Sequence, residues 1–142
     1  MQPRQIVLDT NVLVSGLRST RGASYRLLAL VGATKFEINL SVPLLIEYEE
    51  VLLRQREQFG LTRRDIADVL DFLCRTGNLH DVYFLWRPYL RDPKDDMVLE
   101  LAVVAGSEHI VTYNKRDFQG VEAFGIETVT AHEFLQLIGE LP

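Results

Sequence analysis

The chain has 142 residues, 47% hydrophobic and 25% charged, with a formal net charge of −5. That size and balance suit a soluble globular protein, read as one domain over residues 1–142, and no apolar run reaches the ~20 residues that a membrane-spanning helix needs. The negative charge argues against a passive nucleic-acid binder, which carries a basic excess, but not against an enzyme that holds cations among its acids.

In chain order, Ile6–Leu8 predicts a short buried strand that runs into Asp9, with Thr10 and Asn11 directly behind it. Ser24–Val31 predicts a helix closed by Gly32, and Phe36–Leu40 a second strand. Ser41 is a plausible N-cap, Pro43 falls in the first turn, and a helix is expected from about Leu44 to Arg56. Thr62–Asp65 (TRRD) resembles a capping box with Asp in place of Glu. Behind it Ile66, Val69, Leu70 and Leu73 fall on one helix face, and Gly77 closes that helix. Asp95 or Asp96 is expected to open the next helix, whose MVLELAVVA segment is apolar nearly all round and so buried on several sides. Gly106 ends it. HIVTY and IETV read as strands, and Thr130–Glu133 (TAHE) is a full capping box opening a last helix through Ile138. Short strands alternating with helices predict a parallel sheet covered on both faces.

The polar residues fall where such a sheet binds ligands, beyond the carboxyl ends of its strands. Asp9 ends the first strand, where it either meets a ligand or caps the turn through Thr10 and Asn11. On the helix after Ser41, Glu47 lies just beside the apolar arc of Leu44, Leu45, Tyr48, Val51 and Leu52, while Glu49 and Glu50 lie farther out. RDPKDD, Arg91–Asp96, puts three acids before a buried helix. The helix dipole explains one or two of them and does not require all three. In TYNKRDF, Asn114 and Asp117 follow a strand end, which suits an Asx-type turn or a ligand equally. Taken together, these carboxylates would repel one another and need a cation. All-oxygen donors suit Mg²⁺ or Mn²⁺, not zinc. His80, His109 and His132 show no ligand spacing. Cys74 is the only cysteine, which rules out an internal disulfide and a cysteine metal cluster. Asp9 and Asn11 interrupt the first apolar stretch, so no signal peptide is expected and the cytoplasm is the expected compartment.

IVLDTNVLVSG, SVPLLIEYEEVL, DPKDDMVLELA and IVTYNKRDF, in that order, resemble the blocks of PIN domains, and the whole is similar to the toxin-like bacterial branch of VapC-type ribonucleases. The resemblance runs from Ile6 to about Leu135. It implies a three-layer α/β/α sandwich with a central, mostly parallel sheet. It also implies a Mg²⁺- or Mn²⁺-dependent endoribonuclease with RNA as substrate, an antitoxin protein as partner and a homodimer as the assembled form. The site carried over is Asp9, Glu47, Asp96 and Asp117, as metal ligands and catalytic acids, supported by Asn11, Asp95 and Asn114. Asp95 competes with Asp96 for the third place and Asn114 with Asp117 for the fourth. Arg18 and Arg21, and the group Arg54, Arg56, Arg63 and Arg64, are candidate contacts to an RNA backbone, or solvated helix ends. Val82, Phe84, Leu85 and Trp86 are candidates for a dimer interface, or ordinary core. Two other readings are a PIN-like module that mainly binds RNA or an antitoxin, and a phosphoryl-transfer enzyme with Asp9 as nucleophile. The second Asp of the usual DxD pattern is missing, which disfavours the latter.

Overall fold

A strand that turns directly into a helix opens the chain. In the computed structural model, which describes residues 2–82 and 89–142, β1 (Arg4–Leu8) ends at Asp9 and α1 (Thr10–Arg18) starts on the next residue. The turn expected at Thr10 and Asn11 is therefore the first turn of a helix, with Asp9 as its N-cap. β-branched Val12 and Val14 blur the local helix signal, and burial of Val12, Leu13 and Val14 overrides it.

The next elements follow the sequence reading closely. They are α2 (Ala23–Ala29), β2 (Phe36–Leu40) and α3 (Val42–Phe59), the last capped by the Ser41 hydroxyl accepting from the Leu44 N–H. α3 runs a turn beyond Arg56 and stops at Gly60, whose φ of 69° is the left-handed conformation glycine adopts without penalty. α4 (Arg63–Thr76) carries both bonds of its Thr62–Asp65 capping box. A two-residue strand, β3 (Asn78–Leu79), comes next and is too short for periodicity to reveal.

α5 (Pro93–Val104) starts earlier than expected. Asp92 is its N-cap, accepting from the Lys94 N–H at 2.9 Å, and Pro93 occupies the first turn, where no N–H is required. Asp95 and Asp96 thus lie inside the first turn. Met97 to Ala102 are all buried, as an all-round apolar helix demands. β4 (His109–Val111), β5 (Glu127–Val129) and α6 (Ala131–Leu137) complete the chain, and the Thr130–Glu133 capping box again has both bonds.

The five strands are all parallel, in the order β3-β2-β1-β4-β5. The chain moves one way from β1 to β2 to β3, then crosses back through α5 to β4 and β5. Right-handed crossovers therefore place α1 to α4 on one face of the sheet and α5 on the other. The packing agrees: α1 meets α2 and α3, α3 meets α4, α6 joins α2, and α5 lies along β1, β2 and β4. Ile6, Val7, Ile110 and Val111 of the central pair are wholly buried. The winding direction reverses between β1 and β4, and at such a switch point the connections diverge and leave a crevice beyond the strand ends.

Val82 is half-buried against the core, whereas Phe84, Leu85 and Trp86, expected as candidate interface residues, lie outside the described residues. Among the described residues no helix is long and apolar enough to cross a membrane.

Gly77 closes α4 by a different means from Gly60. Its φ of −95° suits any residue, but a Cβ there would meet Leu40 Cδ1 at 2.9 Å, Ile38 Cγ1 at 3.0 Å and the Leu73 carbonyl oxygen at 3.0 Å. Gly77→Ala is expected to destabilise the fold by about 1–3 kcal/mol, the usual cost of overpacking. Denaturant melts of the variant and the parent measure this, and equal midpoints would show that the β2–α4 contact yields freely.

Candidate functional site

Asp9 stands at the switch point and is only 8% exposed. Its backbone N–H continues the β1–β4 ladder by donating to the Val111 carbonyl at 2.9 Å. Its carboxylate accepts from the Thr10 N–H at 2.9 Å, the Thr112 hydroxyl at 2.7 Å and the Asn11 side-chain amide at 3.3 Å. Thr112 arrives because β1 and β4 pair Leu8 with Val111, and one further step sets Asp9 beside Thr112. The Thr112 hydroxyl also accepts from the Asn114 N–H at 3.0 Å, which folds the chain after β4 back over the site.

Burial is the largest influence on Asp9 and raises its pKa. The Thr112 and Thr10 bonds pull it down without restoring it, and the charges of Glu47 and Asp117 push it up further. Glu47 reaches the site from the second turn of α3, where it accepts from the Thr10 hydroxyl. It is half-buried, while Glu49 and Glu50 are exposed, in keeping with a position beside the apolar arc. The register of α3 is pinned one residue on. The buried Tyr48 hydroxyl donates to the Leu8 carbonyl, and burial, then the charges of Asp9 and Glu47, hold that phenol well above its ordinary pKa and so protonated.

The two adjacent acids of α5 divide. Asp95 is half-buried, and its pKa is pushed up to about 7, first by burial and then by the charges of Asp9, Asp117, Asp92 and Glu47. Asp96, the third acid by resemblance, is 2% exposed and turned to a structural task. Its Oδ1 accepts from the Leu90 N–H at 2.7 Å and the Tyr89 N–H at 3.3 Å, and its Oδ2 is buried with no hydrogen-bond partner among the described residues. Asp117, in the 3-10 turn Lys115–Phe118, is exposed, and its charge reaches both Asp9 and Asp95. Asn114 is exposed and engages through its backbone, donating to Thr112 and accepting from the Asp117 N–H. Asn11 is a bridge: its amide donates to Asp9 and Thr112, and its oxygen accepts from the Tyr113 N–H at 3.3 Å.

Asp9, Glu47, Asp95 and Asp117 therefore share one electrostatic neighbourhood. None of them takes part in an ion pair among the described residues. Their oxygen-only donor set has the chemistry that Mg²⁺ or Mn²⁺ favours. The acids do not close on a point: among the described residues, no three acidic, imidazole or thiol groups are gathered tightly enough to enclose an ion. Glu47, Asp95 and Asp117 each retain solvent exposure, which leaves their side chains room to turn inward.

Thr10 and Thr112 are the site residues that the sequence reading missed. The signal for Thr112 lay in the parallel register of β1 against β4, which side-chain type alone does not give. Of the basic candidates, Arg18 lies beside the site. Arg54 and Arg64 are exposed and pair with Glu50 and Asp68 along their own helices. His80 bonds to buried Asn39, and His109 packs edge-on against Phe134, which leaves neither in the site.

The chain is thus a parallel α/β protein with acidic side chains around the switch point of its sheet, none of them ion-paired among the described residues. The PIN domain family model matches residues 5–116, and the chain belongs to the PIN domain family. Members of that family are generally nucleases and typically use divalent metal ions. Among solved structures, the chain is similar to VapBC2 from Rickettsia felis, bound to a DNA fragment from its promoter. The identity is 16% with a TM-score of 0.62, over 88% of this chain and 98% of that one, a likeness that concerns the fold. No curated protein sequence gives a significant match.

The raised pKa of Asp95 has a consequence for stability. The folded protein holds that proton more tightly than the unfolded chain, so between about pH 4 and pH 7 the native state binds more protons and stability falls as pH rises. In EDTA, wild-type thermal stability is expected to fall more steeply across this window than that of Asp95→Asn, and the variant should be the more stable of the two at pH 8. Parallel pH profiles would show that Asp95 carries no such strain.

Proposed function

We propose that the protein is a Mg²⁺- or Mn²⁺-dependent endoribonuclease and the toxin member of a toxin–antitoxin pair. The observation that carries the nuclease reading is the crowding of Asp9, Glu47, Asp95 and Asp117 in one neighbourhood, with none of the four in an ion pair among the described residues. The sequence resemblance to VapC-type ribonucleases supports RNA as the substrate.

In this reading Asp9, Glu47, Asp95 and Asp117 hold the metal, and Asp95 takes the third place in preference to Asp96, whose Oδ1 is already engaged by two backbone N–H groups. When bound, the cation supplies an activated water and neutralises charge growing on the phosphate. The chain's own residues set the geometry. Thr112 and Asn11 orient the Asp9 carboxylate, and Thr10 steadies Glu47. Asp117 adds an exposed charged oxygen at the rim, which a cation prefers to the neutral amide of Asn114.

An apolar groove supports the antitoxin part of the reading. Leu13, Leu17, Leu28, Val69, Phe72 and Leu73, from α1, α2 and α4, line a largely apolar hollow of about 260 Å³, with Asp68 at its edge the one charged residue of the lining. Exposed apolar patches of this kind mark docking sites. The Rickettsia felis neighbour is a VapBC2 assembly, which fits a small partner protein covering the groove.

The test joins cleavage to metal binding. Single-stranded RNA is expected to be cut with Mn²⁺ or Mg²⁺ and left intact in EDTA, and Mn²⁺ should raise the melting temperature, since it binds only the folded site. Asp9→Asn and Asp95→Asn should each lower cleavage at least about 100-fold and abolish the thermal gain, as expected when a charged ligand is lost. Asp96→Asn should instead lower metal-free stability while keeping the Mn²⁺ response. A thermal gain lost in Asp96→Asn and kept in Asp95→Asn would return the third place to Asp96.

A further inference from the structure

A second hollow of about 410 Å³ adjoins the acids, and its lining differs in kind. Thr10 and Asn11, which touch Glu47 and Asp9, form one wall. Ser15, Arg18, Gln55 and Tyr113 contribute the rest of its polar and aromatic lining.

Arg18 is held in place without being neutralised. Its guanidinium donates to Gln55 Oε1 at 3.3 Å and sits 5.2 Å from the centroid of the Phe59 ring. Among the described residues it has no carboxylate partner, unlike Arg54 and Arg64. A fixed guanidinium with free donors suits a phosphate. Tyr113 is also held. Its hydroxyl bonds to the buried Ser24 hydroxyl and its N–H donates to Asn11, yet 44% of its surface stays exposed. A half-exposed aromatic ring anchored at both ends is a stacking platform for an unpaired base, whose π-face any base presents.

We infer that this hollow seats the nucleotide next to the bond that is cut, its phosphate against Arg18 and its base on the Tyr113 ring. The inference rests on the proposed ribonuclease reading and deepens it: the substrate is single-stranded at this position, because a base within a duplex cannot reach the ring. Asn11 couples the two places, since one side chain contacts both the Asp9 carboxylate and the Tyr113 backbone.

The probe is a fluorescently labelled, mixed-sequence single-stranded oligoribonucleotide. Its affinity is measured without metal in a Glu47→Gln background, which removes one repelling charge and keeps an acceptor for Thr10, and its kcat and KM with Mn²⁺ are measured in the wild-type background. Arg18→Ala is expected to weaken binding about 10-fold and to lower the salt slope by about one phosphate contact. Tyr113→Ala should weaken binding at least about 5-fold and raise KM without changing the salt slope, in the range of a lost stacked base. Tyr113→Phe should stay within about twofold of the parent, because the ring and not the hydroxyl stacks. A duplex of the same sequence should be indifferent to Tyr113. Equal losses in Tyr113→Phe and Tyr113→Ala would overturn the inference, because the Ser24 bond and not the ring would then be at work. RNA cleavage with unchanged binding in Arg18→Ala and Tyr113→Ala would overturn it while leaving the ribonuclease reading intact. A wild-type chain that neither binds nor cuts RNA would overturn both.

Discussion

The structure turns on one constraint, the burial of the Asp9 carboxylate at the end of a central strand. Three hydrogen bonds from Thr10, Thr112 and Asn11 compensate part of the lost hydration, but all three donors are neutral. Burial outweighs them and the pKa rises. A buried carboxylate normally takes a basic partner. Among the described residues the charges that act on it are acidic, those of Glu47 and Asp117, and they raise its pKa further. The metal-free fold therefore carries an electrostatic demand that a small divalent cation is suited to meet.

The sheet topology explains why the acids meet. Parallel strands all deliver their carboxyl ends to one edge, and α5, which runs back across the sheet, brings its N-terminus to that same edge. Three acids thus arrive from three connections: Asp9 after β1, Glu47 on the helix after β2 and Asp117 after β4. Asp95 arrives on the return crossover. The Tyr48 hydroxyl on the Leu8 carbonyl and the Thr112 hydroxyl on Asp9 lock α3 and β4 to the end of β1. The acids stand on elements whose packing fixes them, while their carboxyl groups, Asp9 apart, keep contact with water.

Much of this was legible in the residues. N-cap and capping-box signals at Ser41, Thr62 and Thr130 are local hydrogen-bond chemistry, and each has its bonds in the structure. The run from Met97 to Ala102 could only be a buried helix. What the residues hid depends on non-local contact. Beyond a possible turn at Thr10 and Asn11 the residues gave no sign of α1, because β-branched Val12 and Val14 weaken the local helix signal and burial of its inner face makes up for it. The start of α5 was placed at Asp95 or Asp96, because Asp92 and Pro93 look like a loop until their capping bond is seen. The different surroundings of Asp95 and Asp96 were illegible in principle: neighbours on a helix point about 100° apart, and only the fold shows that Asp96 accepts from the Leu90 and Tyr89 N–H groups while Asp95 feels the charge of Asp9. Thr10 and Thr112 were missed because their roles arise from partners 37 and 103 residues away.

The most direct measurement is the anomalous scattering of Mn²⁺ in crystals of the protein. The account predicts a peak in the crevice between Asp9, Glu47, Asp95 and Asp117, with those side chains turned onto it and Asp96 still bonded to the Leu90 N–H. A Mn²⁺ peak coordinated by Asp96 in place of Asp95, or crystals in which Mn²⁺ binds only outside the crevice, would contradict it.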